Sequence, residues 1–202
     1  MTKPKFLFSV IFLLIAGAAG VFAQTDSRPP KADPCYEVVL QTIVASNAGG
    51  GRDAVPPALA GIVKKLKAGY DFSDYRLMNS FLQRTNNYIE YKSLANDFGQ
   101  TADKNYPAFF EWSLKGIQNL VNAQGKNVLQ FESFRFGMRV PLVNAARDES
   151  GKPLPASVSY EGIGLSTMRF SLPENEPTVV GSLATAKPGE LLFLVLTVRP
   201  VE

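Results

Sequence analysis

Two rhythms of apolar residues run along the chain. In the stretch 59–66, Leu59, Ile62, Val63 and Leu66 fall at i, i+3, i+4 and i+7, which is one face of a helix. Pro56 and Pro57 fit near its first turn, where a missing N–H costs little. Asp53 is placed to cap it. Lys64, Lys65 and Lys67 suit the negative C-terminal end, and Gly69 is placed to stop it. The spacing predicts an amphipathic helix of about three turns that packs on a sheet.

Everywhere else the period is two. The β-branched run 36–46 reads as a strand, and the Gly-rich stretch 47–55 after it as a loop. In 75–84, Tyr75, Leu77 and Phe81 fall on one side. Asn86 and Asn87 then turn the chain, and 88–94 returns. In 109–117, Phe110, Trp112 and Leu114 share a face. In 128–142, Phe134, Phe136, Met138 and Val140 share one, with Arg135 and Arg139 pointing away. Polar loops are expected at 96–107 and 144–155. A further strand, 158–172, is expected to break near Gly162 or Gly164 as a bulge. The chain finishes as a hairpin of 177–184 and 190–199 around Lys187, Pro188 and Gly189. Residues 191–198 are apolar on both faces, which predicts a central strand covered on both sides. The second half has no helix to carry parallel crossovers. The fold expected is therefore α+β, mainly antiparallel β-sheet or sandwich with one amphipathic helix packed on it, formed by residues 35–202 as a single domain.

The N-terminus changes where such a domain would work. Lys3 and Lys5 precede an apolar stretch from Phe6, small residues follow, and Val21 and Ala23 suit the positions before a cleavage site. Residues 1–23 are read as a signal peptide and 24–34, polar and Pro-containing, as a disordered tether. The alternative, a retained anchor, needs about 20 apolar residues, and the stretch reaches that only with its Gly/Ala tail. No later segment is long and apolar enough to span a membrane. Cleavage lowers the net charge from +3 by the two lysines. A nearly neutral exported chain offers no general attraction for nucleic acid. The expected location is periplasmic or extracellular. Cys35 is the one cysteine, so no internal disulfide forms, and it reads as a small apolar residue at a strand start.

Histidine is absent, which removes Ser-His-Asp and Cys-His catalysis and the commonest metal ligand. No metal site or cofactor is expected. Residues 49–54 formally match the dinucleotide fingerprint, but Pro56 and Pro57 interrupt the helix start it requires, and the segment reads as a connector. Glu111 and Glu132 are carboxylates beside aromatics, and with Trp112 they make a possible ligand-contacting set for a secreted carbohydrate-binding or carbohydrate-active protein. Alternation sets Glu111 opposite Trp112, toward solvent. It puts Glu132 in phase with Phe134 and Phe136, at the edge of an apolar face. Phe110, Trp112, Phe134 and Phe136 are read as core.

The two closing runs, EPTVVGSL at 176–183 and ELLFLVLTVRPV at 190–201, resemble the closing strands of bacterial secretins, the outer-membrane channel proteins of secretion and pilus systems. The gate and barrel region of that family has no counterpart between them. The resemblance thus implies a short secretin-like or secretion-associated periplasmic domain; a pore is not implied, and no functional residue is carried over. Together these features lead to an expected non-enzymatic envelope domain that binds another envelope protein. Lys64, Lys65 and Lys67 offer one possible contact face.

Overall fold

The computed structural model describes residues 33–48, 55–95, 106–144, 150–152, 155, 157–185 and 187–201. The expected signal peptide, residues 24–32 of the tether, the glycine motif 49–54 with Asp53, and most of the loops expected at 96–107 and 144–155 lie outside the described residues. Residues Pro34–Glu202 form one unit.

Strand β1 (Cys35–Ser46) opens the fold, followed by a single 3-10 turn at Pro57–Leu59 and helix α1 (Ala60–Gly69). Pro56 and Pro57 sit at the entry, and Leu59 N–H closes the first turn on the Pro56 carbonyl at 2.8 Å. At the far end Tyr70, in extended conformation, donates its N–H to Leu66 O at 2.8 Å. The helix therefore ends without a left-handed glycine, and Gly69 is its last residue.

The remaining strands are β2 (Asp74–Thr85), β3 (Tyr88–Leu94), β4 (Phe109–Lys115), β5 (Gln118–Val121), β6 (Asn127–Asn144), β7 (Ser157–Pro173), β8 (Thr178–Ala184) and β9 (Glu190–Val201). Every pairing is antiparallel. The first sheet runs β2-β1-β9-β8. In the second, β3 pairs β4, and β4 and β5 follow one another along one side of β6 while β7 lies along its other side.

Three layers result: helix, first sheet, second sheet. Val38, Leu40, Leu194 and Leu196 of the first sheet meet Phe110, Trp112, Phe134 and Phe136 of the second in the main core. On the other face of the first sheet, Ile43, Phe193 and Val195 pack under Leu59, Ile62 and Leu66 of the helix region. Strand β9 is thus covered on both sides, and Leu192 to Leu196 are all 0–1% exposed. Burying each such side chain contributes about 1.5–3 kcal/mol. The α+β architecture expected from the pattern is the one observed.

Three local expectations are corrected. Asn86 and Asn87 do turn the chain, with Thr85 Oγ1 accepting both Asn87 N–H and Tyr88 N–H. The strands they join do not pair, however: β2 belongs to the first sheet and β3 to the second, so the turn is a corner. Phe81 does not share a face with Tyr75 and Leu77. A bulge opposite Thr42 and Ile43 leaves Met78 out of the ladder, so Tyr75 and Leu77 face the helix layer and Phe81 the main core.

The third correction concerns a crease across the second sheet. Gly116, at φ +69, separates β4 from β5, and a Cβ there would lie 2.5 Å from Glu132 Cβ. Phe131 and Phe134 are both fully buried, so the alternation of β6 slips between them and turns Glu132 outward rather than in phase with Phe134 and Phe136. On β7 the matching irregularity is Arg169, at φ 50, not Gly162 or Gly164, which continue the ladder opposite Arg139 and Gly137.

Candidate functional site

The outer face of the second sheet has no layer over it among the described residues. Strand alternation sends Phe110, Trp112, Phe134 and Phe136 inward, so Glu111, Ser113, Arg135 and Arg139 stand outward. Across β7 the outward positions are small: Gly162 pairs with Arg139, Gly164 with Gly137 and Ser166 with Arg135. Gly137, Gly162 and Gly164 line an open trough of about 920 Å³, walled by Lys92, Glu111, Arg135 and Arg139. Gly164 is required by close approach, because a Cβ there would lie 2.2 Å from Phe136 O and 2.7 Å from Gly137 Cα.

Glu111 is tied into this wall. Lys92 Nζ reaches its Oε1 at 2.9 Å and Arg139 Nε its Oε2 at 2.9 Å. The Lys92 hydrogen bond above all, with that from Arg139, holds the carboxyl below its ordinary value near 4.5, against a smaller opposing effect of partial burial. A glycosidase acid needs the reverse displacement. Arg135 is exposed and makes no ion pair among the described residues.

The other sequence candidates are dispersed. Glu132 is exposed at the crease. The Trp112 ring is 2% exposed, inside the main core beside Tyr91, and its Nε1 finds no hydrogen-bond acceptor. It presents no stacking surface to solvent. Lys64, Lys65 and Lys67 are exposed on α1, on the far side of the first sheet, with Lys67 Nζ 5.8 Å from the Tyr75 ring centroid. Cys35 is a half-buried free thiol. Among the described residues no group of carboxylate and thiol ligands is arranged to hold a metal ion.

A second ionic cluster went unread in the sequence. Glu37 pairs across the first sheet with Arg84 on one side and Arg199 on the other. Arg199 Nε donates to Glu37 Oε1 at 2.7 Å, and Arg84 reaches Oε2 at 3.3 Å. The Arg199 hydrogen bond is the main influence keeping this carboxyl below its ordinary range.

Two features of β6 and β7 also depend on topology. Strand β4 stops pairing at Arg139, while β6 and β7 continue together to Asn144 and Ser157. Among the described residues, 140–144 and 157–161 therefore pair only with each other, with Leu142 44%, Val143 47% and Tyr160 42% exposed. The side of β7 away from β6 pairs with no strand among the described residues. The sequence shows these apolar residues, but it does not show which strand is left at an edge.

Comparison with family models, with curated proteins and with solved structures returns no match. No helix among the described residues is long and apolar enough to cross a membrane.

Proposed function

We propose that this chain is an exported, non-enzymatic domain that binds a protein partner at the cell envelope, in a secretion-associated setting. The observation that carries this reading is the end of the β6–β7 ladder beyond β4, which exposes Leu142, Val143 and Tyr160. Clustered exposed apolar side chains favour docking, and open strand edges add main-chain hydrogen bonds to a partner. Lys64, Lys65 and Lys67 are a second contact surface in this reading. The carbohydrate-active alternative has less support. Glu111 is committed to Lys92 and Arg139, and Trp112 is buried.

A photo-crosslinking residue at position 160, used in intact cells, tests the reading. It is expected to trap one reproducible protein other than this chain, and Leu142→Ser with Val143→Ser is expected to abolish the adduct without altering the fold. Absence of any reproducible adduct overturns it. Activity on a glycan panel that is lost in Glu111→Gln or Glu132→Gln would favour the alternative instead.

A further inference from the structure

Strand β7 carries a pattern that selects its partner. It is 17 residues long, about three times the usual strand length, and among the described residues only one of its sides is bonded. Long open edges are ordinarily blunted by several charges or by proline within the strand. Here Pro173 is the last residue, and the only charged side chains are Glu161 and Arg169. These two are of opposite sign and lie equally far from Leu165, the midpoint of Ser157–Pro173. The slip at Arg169 does not end the strand, since its register with β6 is the same on both sides.

We propose that β7 pairs antiparallel with β7 of a second copy of this chain, about a two-fold axis at Leu165, joining two second sheets into one. This rests on the protein-binding reading and names the partner for one edge. With Leu165 facing its own counterpart, each Glu161 stands directly across from Arg169 of the second copy. Opposite charges in directly opposed positions attract, and like charges repel. The same register sets Met168, 69% exposed, across from Gly162 of the second copy, a position with nothing within 4 Å of where a Cβ would stand. A foreign strand has no reason to match this pattern, whereas a two-fold partner matches it twice, as an isologous contact requires.

The test is sedimentation equilibrium of the exported chain as recovered from cells. A dimer is expected. Glu161→Arg and Arg169→Glu are each expected to weaken it at least about tenfold, and the doubly exchanged chain to recover most of that loss. Met168→Lys alters a side chain outside the core and is expected to weaken the dimer similarly, which keeps the test decisive if a charge variant does not fold. A wild-type chain that stays monomeric at about 100 μM, or a dimer indifferent to these changes, overturns the self-pairing. A monomeric chain that still gives a position-160 adduct with a different protein overturns self-pairing alone. A β7-dependent dimer whose position-160 adduct holds only a second copy of this chain, or that gives no adduct, overturns the envelope-partner reading alone.

Discussion

At the scale of single residues, polar groups in this molecule are held chiefly by their cross-strand neighbours. Glu37 between Arg84 and Arg199, and Glu111 between Lys92 and Arg139, are both kept ionised below their ordinary values. A carboxyl depressed in the folded state stabilises the fold above its unfolded value and loses that contribution as pH falls through the folded one. Stability from both groups is therefore expected to be complete above about pH 4.5, the ordinary value of each, and to fall on further acidification. Urea unfolding at a series of pH values checks this. Glu37→Gln is expected to lower stability at neutral pH and to shallow the acid decline. Glycines separate just as clearly. Gly164→Ala drives a methyl into the Phe136 carbonyl and is expected to cost about 2–3 kcal/mol or more. Gly162→Ala, two residues away with open space around it, is expected to change stability by less than about 0.5 kcal/mol. Thermal or urea midpoints of the pair measure the difference.

At the scale of elements, the helix shows what a pattern conveys. Leu59, Ile62 and Leu66 are buried, as their spacing requires, and Lys64 and Lys65 are outside. Leu59→Ala or Leu66→Ala is expected to cost about 2–5 kcal/mol, and Lys64→Ala less than about 0.5 kcal/mol, in equilibrium unfolding. The doubly apolar run in β9 foretold a strand with layers on both faces, because no other setting removes both rows from water. The outward direction of Arg135, Arg139 and Glu111 was equally legible from period two. What could not be read is whatever breaks the period. The extra residue at Met78 and the paired slips at Glu132 and Arg169 turn correct local alternation into the wrong face farther along. Nor does alternation tell which sheet a strand joins, so the Asn86–Asn87 corner looked like a hairpin. The trough depends on three glycines brought together by pairing β6 with β7, and Lys92 meets Glu111 only because β3 pairs β4.

At the scale of the whole molecule, the first sheet is closed by the two ends of the described domain. β1 pairs β9 from Cys35–Val201 through Ser46–Glu190. The central ladder of that sheet, and the floor beneath the helix, are absent until the last strand is made. A chain stopped at residue 185 is expected to show no cooperative unfolding transition, which circular dichroism during urea titration would reveal. Folding of the full chain is expected on the millisecond-to-second scale of strand-rich domains whose pairings are distant in sequence, measurable by stopped-flow fluorescence of Trp112. The same ladder has a mechanical consequence. Cys35 lies directly across from Val201, so a pull applied to these two residues would open the β1–β9 pair one rung at a time, as a zipper, instead of shearing all rungs together. This domain would therefore yield at low force to tension between those residues, while load carried through β6 and β7 would bypass that seam.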